Sequence, residues 1–225
     1  MREKNVQKIR QKVVEDYDNI AKEFDSTRKT EWEAFELVLP YIENNDYVVD
    51  LGCGNGRILE FLEKHRKIKY LGIDNSLGLL EAAKKNHSGA QFIHGDMLAL
   101  PLEPSSVDKA LAIASLHHIP SEKLREKAVQ ETYRILKENG LYILTVWNLF
   151  QPKYKKYIWK SRLKWLVTFG SYDSRDTFIP WGKSGIKRYY YAFKLNELKS
   201  LLENNGFEII KTHVDNNFVL ICKKI

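Results

Sequence analysis

The chain has 225 residues, of which 44% are hydrophobic and 29% are charged, a composition typical of one globular domain with a substantial core. It contains no run of about 18 apolar residues, and its charged beginning, MREKNVQKIRQK, lacks the apolar part of a signal peptide; we therefore expect a cytoplasmic protein that does not use a membrane. Its two cysteines, Cys53 and Cys222, are too few for a disulfide framework or a four-ligand zinc site, so we expect no metal centre.

The net charge of +7 is concentrated in one segment. Residues 148–194 carry eleven Lys and Arg against two acids, a net charge of +9, so the rest of the chain sums to −2. The same segment holds 13 of the 27 aromatic residues. Rings that stack on bases, together with cations that contact phosphates, indicate an RNA-binding surface; a basic amphipathic segment on an acidic membrane surface is the alternative.

The chain begins with two predicted helices. Apolar residues fall at spacings of three and four from Val6 to Phe24, which predicts an amphipathic helix. We also predict a helix over Trp32–Ile42. Short apolar runs then alternate with helical stretches: strands YVVDL, KYLGID, QFIHGD, VDKALAIAS and LYILTVW, and helices from about Arg57, Ser76 and Ser121.

This alternation predicts an α/β fold, a mostly parallel sheet with helices on both faces. A helix over Leu195–Asn205 and the strands FEIIKTHV and NFVLICKK follow, joined by turn residues, and predict an antiparallel C-terminal hairpin. We divide the single domain, 1–225, into an N-terminal helical extension (1–45), a cofactor-binding core (46–147), a basic aromatic insertion for the substrate (148–194) and a C-terminal helix with strands (195–225).

A glycine-rich turn follows the first predicted strand. Asp50, Gly52, Gly54 and Gly56 form the pattern Asp-x-Gly-x-Gly-x-Gly, in which the glycines let the backbone turn sharply and approach a ligand. The dinucleotide motif Gly-x-Gly-x-x-Gly places its third glycine one position later. The pattern resembles the first motif of class I S-adenosylmethionine-dependent methyltransferases, which implies a Rossmann-like fold with a seven-stranded sheet and an ammonium group for Asp50 to bind.

Two further acids follow the next two predicted strands. Asp74 can accept hydrogen bonds from both ribose hydroxyls of the cofactor, and Asp96 can accept from the adenine amino group while Met97 packs on the ring. Asn75 is a candidate for the ribose, although a helix cap from Asn75 or Ser76 is as plausible. Acids at the ends of three successive strands favour S-adenosylmethionine, because ligands of such sheets bind at the carboxyl ends. Residues from Ala114 to the histidines that follow should face the methyl donor and the acceptor, and of these we favour His117 as a base or an orienting group.

Several motifs resemble the wobble-uridine tRNA carboxymethyluridine methyltransferases, in the same order along residues 15–225. They are Tyr17-Asp18-x-Ile20-Ala21-x-x-Phe24-Asp25-x-Thr27-Arg28, then Trp32, Val146-Trp147, Phe178-Ile179-Pro180-Trp181, Lys187-Arg188-Tyr189-Tyr190-x-x-Phe193, Glu197-Leu198 and the closing Asp215-Asn216-Asn217-Phe218. The chain departs from the family at Tyr191, where His is common, and at Gly182, where His or Lys is common. The resemblance implies methylation of a carboxylate on the tRNA anticodon loop, and a small zinc-binding activator protein as partner, for which the third strand is a possible edge.

Four residues are our candidates for the acceptor site. Arg28 and Arg188 would hold the carboxylate by charge-assisted hydrogen bonds, while Tyr189 and His117 would shape the base pocket. A surface salt bridge is the alternative for Arg28, and core packing the alternative for one or two of the consecutive tyrosines. Two other functions stay open: a methyltransferase for a small hydrophobic acceptor such as a quinone or lipid, and a cofactor-binding RNA adaptor without catalysis.

Overall fold

The computed structural model describes residues 1–28, 30–182 and 184–225, and its centre is a seven-stranded sheet. In these residues the strands are β1 (Tyr47–Leu51), β2 (Lys69–Asp74), β3 (Gln91–His94), β4 (Val107–Ile113), β5 (Leu136–Trp147), β6 (Asp176–Pro180), β7 (Lys187–Tyr191), β8 (Phe207–Val214) and β9 (Asn217–Lys224). The α-helices are α1 (Glu3–Ser26), α2 (Arg57–Glu63), α3 (Leu77–Asn86), α4 (Glu122–Ile135), α5 (Lys155–Val167) and α6 (Leu195–Glu203).

The sheet confirms the predicted α/β architecture. Its order is β3-β2-β1-β4-β5-β9-β8, parallel as far as β5. β9 then runs antiparallel to β5, and β8 antiparallel to β9, as predicted for the C-terminal hairpin. The chain passes from β3 at one edge to β4 on the other side of β1. The carboxyl ends of β1 and β4 therefore flank the crevice in which open parallel sheets bind ligands.

Hydrophobic clusters cover both faces of the sheet. Val48 and Val49 are fully buried, yet they belong to different clusters, because consecutive residues of a strand point to opposite faces. Strands covered on both faces read as continuous apolar runs. The run YVVDL of β1 follows that rule.

Helix α1 is the predicted amphipathic helix, extended by a few residues at each end. Its stripe Val6, Ile9, Val13 and Ile20 is buried, and the helix packs against α3 and β7. This docking carries the C-terminal end of α1 across the carboxyl ends of the strands.

The predicted helix over Trp32–Ile42 is wrong. The segment instead forms two short 3₁₀ turns, Glu33–Phe35 and Leu39–Tyr41, closed by i→i−3 hydrogen bonds such as Val38 N–H to Phe35 C=O (3.0 Å). Pro40 has no N–H to donate, so it disfavours a continuous α-helix here. Burial of the apolar side chains holds the segment in place without an α-helix.

The basic aromatic segment forms α5 and a two-stranded antiparallel ribbon, β6–β7, that is separate from the main sheet. Lys183, one of its eleven basic residues, lies outside the described residues. Tyr189, Tyr190 and Tyr191 are all at least 99% buried. The run of three tyrosines therefore forms part of the protein core. Among the residues that the structure describes, no helix is long and apolar enough to cross a membrane.

Candidate active site

A cavity of about 510 Å³ lies at the carboxyl ends of β1, β2 and β4, between α1 and β7. It brings together eleven of the thirteen site residues predicted from the sequence: Arg28, Asp50, Gly52, Gly54, Asp74, Asn75, Asp96, Met97, Ala114, His117 and Arg188. Gly56 and Tyr189 do not line it.

The glycine loop takes backbone conformations that favour glycine. Gly52, Gly54 and Gly56 have φ values of +75°, +56° and +78°. A Cβ on Gly52 would lie 2.5 Å from the Ser115 Cβ, so close packing also requires that glycine. A Cβ on Gly54 would meet only the Phe24 ring, at 3.6 Å. Gly54 is therefore the position where a ligand can approach the backbone.

The carboxylate of Asp50 ends β1 in a buried position, 2% exposed. Its Oδ2 accepts a hydrogen bond from the Tyr70 hydroxyl (2.9 Å), whereas Oδ1 is buried with no partner among the described residues. Burial raises the pKa of Asp50 to about 7. A buried carboxylate with one free oxygen would be stabilised in its ionised form by a cationic ligand group such as an ammonium.

Asp74 ends β2 and fixes the glycine loop. Its Oδ2 accepts from the Gly54 N–H (2.8 Å) and its Oδ1 from the Ser76 N–H (2.9 Å). Burial raises its pKa, although these backbone hydrogen bonds oppose the shift. The Ser76 side chain caps α3 by accepting from the Leu79 N–H. Asn75 is not the cap, and it lies in the cavity wall.

Asp96 is paired with a residue that sequence reasoning missed. Its Oδ2 accepts from Nη2 of Arg10 on α1 (2.5 Å), and its Oδ1 from the Leu98 N–H (2.9 Å). No motif pointed to Arg10, since the contact joins residues 86 positions apart. The Arg10 pair fixes the carboxylate beside Met97, which also lines the cavity.

Arg188 is the central feature of the other side of the cavity. It is 5% exposed, and its guanidinium carbon lies 4.2 Å from the Trp181 ring centroid, 5.2 Å from Tyr190 and 5.7 Å from Trp147. Nη1 donates to the Tyr17 hydroxyl (3.2 Å), whereas the buried Nε has no partner in the part of the chain that the structure describes. No Asp or Glu of the described chain forms an ion pair with it. The guanidinium is thus a buried cation in an aromatic cage.

A chain of hydrogen bonds holds Arg188 in place. His118 Nδ1 donates to the Tyr189 carbonyl (2.7 Å), so Nε2 accepts from the Tyr17 hydroxyl (2.8 Å). Burial lowers the pKa of His118 to about 3 and raises that of Tyr17, so both side chains are neutral. The Tyr17 oxygen is then fixed where it accepts from Arg188. Sequence reasoning favoured His117 and missed this role of His118.

His117 is buried and lines the cavity. Its Nδ1 accepts from the Trp147 N–H (3.3 Å), which places the proton on Nε2, an atom with no partner among the described residues. Burial lowers the pKa of His117 well below its usual value. His117 can therefore offer a hydrogen bond to a ligand, and its free nitrogen is not a base.

The placement of Tyr189 in the acceptor site needs correction. Its hydroxyl donates to Asp176 Oδ1 (2.7 Å) away from the cavity, and Tyr190 lines the cavity instead. The reason is strand alternation: Arg188 and Tyr190 share one face of β7, and Tyr189 points to the other. The Tyr190 ring stacks on Trp147 with centroids 4.8 Å apart.

Two more arginines line the cavity near the glycine loop. The Arg28 guanidinium lies 5.1 Å from the Phe24 centroid and 5.0 Å from that of Trp181, and burial lowers its pKa. Arg57 lies 5.1 Å from the Phe35 centroid, and burial lowers its pKa to about 10. Sequence reasoning missed Arg57, although its position directly after the third glycine was a signal.

Comparison with known proteins agrees with this geometry. Residues 49–144 match the family described as methyltransferase domain. A protein of Encephalitozoon cuniculi whose name describes a methyltransferase is 33% identical over 196 residues, 86% of this chain and 86% of that protein. The tRNA (carboxymethyluridine(34)-5-O)-methyltransferase of Schizosaccharomyces pombe is 28% identical over 231 residues, 92% of this chain and 94% of that protein.

Solved structures agree as well. An S-adenosylmethionine-dependent methyltransferase of Methanosarcina mazei has a TM-score of 0.73 at 23% identity, covering 84% of this chain and 97% of that one. A chain from the complex between the Haloferax volcanii Trm112 methyltransferase activator and a methyltransferase has a TM-score of 0.70 at 17% identity, covering 94% of this chain and 96% of that one.

The fold and the site define an enzyme that uses S-adenosylmethionine as its methyl donor. Asp50 offers a buried free oxygen for the ammonium group, and the backbone at Gly54 is open to close approach, so the residues present fit this cofactor. The chain belongs to the class I S-adenosylmethionine-dependent methyltransferases, and it is similar to proteins named as wobble-uridine tRNA methyltransferases.

Proposed function

We propose that this enzyme methylates the carboxylate of 5-carboxymethyluridine at the wobble position of tRNA and so forms a methyl ester. The observation that carries the proposal is the Arg188 guanidinium, buried in an aromatic cage without a carboxylate from the described chain. A buried cation is costly unless an anion compensates it. An acceptor that brings its own carboxylate supplies that anion and places it beside the cofactor.

The neutral histidines support a carboxylate acceptor. A carboxylate with a pKa near 4 is ionised at neutral pH, so its methylation needs no general base. His117 and His118 are buried and neutral, which suits hydrogen bonding and not proton abstraction. When bound, S-adenosylmethionine supplies an electrophilic methyl group. The protein then has to orient the acceptor oxygen and exclude water from it.

We assign the acceptor side to Arg188, Tyr190, Trp147 and His117. Arg188 holds the carboxylate by charge-assisted hydrogen bonds from Nε and Nη. The stacked rings of Tyr190 and Trp147 provide apolar surface for the uracil. Nε2–H of His117 donates to a uracil or carboxylate oxygen. Arg188 and Tyr190 belong to the basic aromatic insertion (148–194), whereas His117 and Trp147 belong to the core (46–147), so both segments contribute to the proposed acceptor side.

We assign the other side to the cofactor. Asp50 binds the ammonium group, Asp74 with Asn75 the ribose hydroxyls, and Asp96 with Met97 the adenine. The backbone of Gly52, Gly54 and Ala114 lies along the ligand, with Gly56 completing the turn. Arg57 is our candidate for the methionyl carboxylate. Arg28 stays a candidate for the acceptor carboxylate, beside Arg188.

The enzyme is proposed to act in the cytoplasm with a small zinc-binding activator protein. β3 forms one edge of the sheet, and an edge strand has unpaired backbone groups that another chain can use. The structural similarity to a chain from the Haloferax volcanii Trm112 complex supports this kind of partner.

The test is a nucleoside analysis after reaction. The protein, with and without the activator, is incubated with labelled S-adenosylmethionine and tRNA that carries unesterified 5-carboxymethyluridine. We expect label in the methyl ester of that nucleoside, and none in a matched tRNA with an unmodified wobble uridine.

Three outcomes would contradict the proposal. An unchanged nucleoside profile in both conditions excludes the wobble-uridine reaction. Turnover of a quinone or lipid acceptor without RNA would establish a small-molecule methyltransferase. Binding of cofactor and tRNA with no transfer, even with the activator, would establish an adaptor.

A further inference from the structure

A second concave site lies outside the catalytic cavity. It is a cleft of about 280 Å³ between α5 and the β6–β7 ribbon. Four lysines line it, together with aromatic side chains: Lys156, Lys160, Lys164, Lys187, Tyr157 and Phe178. We call it the lysine cleft.

Within the described residues, the positive charge of the lysine cleft is only partly balanced, by Asp176 acting on Lys164. None of its four lysines forms an ion pair within residues 1–28, 30–182 and 184–225. Its one acid, Asp176, is 1% exposed and already accepts from the Tyr189 hydroxyl and the Asp173 N–H (both 2.7 Å). Burial raises the pKa of Asp176 to about 6. Four convergent cations with one buried, occupied carboxylate attract an anion.

The walls of the lysine cleft offer ring surface as well as charge. Lys164 Nζ lies 4.6 Å from the Phe178 centroid and 3.4 Å from that of Tyr172, so this lysine is held against rings. Lys156 and Lys187 are exposed. A ligand that combines a phosphate with a planar ring would match both kinds of surface.

The ribbon β6–β7 separates the lysine cleft from the catalytic cavity. Arg188 and Tyr190 line the cavity, whereas Lys187 lines the cleft, because neighbouring residues of a strand point to opposite faces. Lys187 pairs with Pro180 at the end of the ribbon next to the loop that joins its two strands. The catalytic cavity and the lysine cleft therefore lie on opposite faces of one ribbon.

A row of lysines runs along α5. Lys156, Lys160 and Lys164 are each four residues apart, so they lie on one side of the helix, and Lys153, which lines the catalytic cavity, lies in the 3₁₀ turn that precedes it. From Lys156 to Lys164 the row extends about 12 Å at 1.5 Å per residue. That length exceeds a single phosphate group and suits a backbone with several phosphates.

We infer that the lysine cleft binds the sugar-phosphate backbone of the substrate RNA, next to the nucleotide whose base enters the catalytic cavity. The inference rests on the proposed RNA substrate. An acidic membrane surface would instead use the exposed stripe of Trp159, Leu163 and Leu166 on the same helix. We favour RNA because the lysines converge in a concave, ring-lined cleft on the other face of the ribbon whose Arg188 and Tyr190 line the cavity.

The test compares two triple variants of the full chain. One replaces Lys156, Lys160 and Lys187 by Gln, and leaves Lys164 in its packed position. The matched control replaces Lys123, Lys127 and Lys211 by Gln; these lysines are exposed and line neither site. Both variants lose the same charge, so a long-range effect of net charge is equal in the two.

The measurements are the Kd of fluorescein-labelled tRNA over a salt series, and KM and kcat for the same tRNA. For the cleft variant we expect a Kd at least about tenfold higher and a salt slope lower by about 2, since three contacts to single-stranded backbone contribute about 0.7 each. KM should rise in parallel, with kcat and the S-adenosylmethionine Kd within about twofold. The control should match the wild type.

The contrary outcomes are distinct. Equal losses in both variants, or none in the cleft variant, would overturn the inference. Loss of binding to phosphatidylserine–phosphatidylcholine vesicles, with tRNA binding intact, would assign the cleft to a membrane and also overturn it. If tRNA binds through the cleft and 5-carboxymethyluridine stays unmodified, the proposed reaction is wrong, whereas the inference about RNA binding in the lysine cleft is supported. A wild type that binds no tRNA would overturn both.

Discussion

The two sides of the catalytic cavity are built in different ways. The cofactor side is held mostly by contacts between neighbouring strands: Asp50 accepts from Tyr70, and Asp74 from Gly54, each across 20 residues, whereas Asp96 accepts from Arg10 across 86. The acceptor side is held by contacts across most of the chain. Tyr17 and His118 are 101 residues apart, and Tyr17 and Arg188 are 171 apart. Two of the three acids on one side are thus held by local contacts, whereas the other side exists only after the whole chain has folded.

The two sides also differ in charge. Three acids line the cofactor side, and Asp50 keeps a free buried oxygen. On the acceptor side, Arg188 has no carboxylate partner within the described chain. A cationic cofactor and an anionic acceptor would each be held by the opposite charge. Because the charges differ, cofactor binding and acceptor binding can be tested separately: a substitution on one side should leave binding on the other side intact.

The largest expected effect comes from Arg188→Gln. Removal of the guanidinium leaves the acceptor carboxylate without its charged partner, a loss on the order of 3 kcal/mol, or about 100-fold in kcat/KM for tRNA. The S-adenosylmethionine Kd, measured by calorimetry, should stay within about twofold. Because the variant also removes an uncompensated buried charge, its melting temperature should not fall.

The matched control for this variant is Arg162→Gln. Arg162 is exposed on α5 and lines neither the cavity nor the lysine cleft, so its replacement should change kcat/KM by less than about twofold. A clear loss of cofactor affinity in Arg188→Gln would show that Arg188 does not belong to the acceptor site alone. It would also contradict the division of the cavity into two independent sides.

The second prediction uses pH to test the cofactor side alone. Burial raises the pKa of Asp50 to about 7, so in the free enzyme this carboxyl becomes ionised as the pH rises towards 7. An ammonium group binds only the ionised form, while the ammonium itself stays charged below its pKa of about 7.7. The affinity for S-adenosylmethionine should therefore increase about tenfold from pH 5.5 to pH 7.

Titration calorimetry at several pH values would measure this increase. Asp50→Asn should bind weakly with no such dependence, and Arg188→Gln should keep the dependence of the wild type. A flat profile in the wild type would show that Asp50 is already ionised in the free enzyme and does not control cofactor binding.

The sequence predicted which acids meet on the proposed cofactor side of the cavity, because local patterns determine their positions. Alternating strands and helices predict the parallel sheet, and acids at strand ends must meet at one edge. The error at Trp32–Ile42 has a local cause, since its apolar spacing fits a helix while Pro40 lacks the N–H of a continuous one. Arg10 was missed because its partner, Asp96, is 86 residues away.

The acceptor side was less predictable, because neighbouring residues of a strand point to opposite faces. An error of one position therefore places the wrong side chain in the cavity. The motif pointed to the segment of β7 whose Arg188 and Tyr190 line the cavity, and it did not show which tyrosine turns inward. The departure at Tyr191 illustrates the same point. Tyr191 lies outside the cavity, where its hydroxyl donates to Glu197 (2.5 Å), so the replacement of His at this position does not alter the cavity wall.

The smallest expected effects separate Tyr189 from Tyr190. In Tyr189→Phe the hydrogen bond to Asp176 is lost from a buried site, so the free energy of unfolding should fall by about 1–2 kcal/mol. Since this ring lies outside the cavity, kcat/KM for tRNA should change by less than about twofold.

Tyr190→Phe should show the opposite pattern. Its buried hydroxyl makes no hydrogen bond of good geometry within the described residues, and its contact with the Tyr17 hydroxyl is weak, since Tyr17 already pairs with His118 and Arg188; the unfolding free energy should therefore change by less than about 0.5 kcal/mol. The same hydroxyl is available to an acceptor in the cavity, and its loss should lower kcat/KM about three- to fivefold. Denaturant unfolding and initial rates on the two variants give both numbers. If Tyr189→Phe lowered kcat/KM more than Tyr190→Phe, the acceptor would bind on the other face of β7, and the cavity described here would hold only the cofactor.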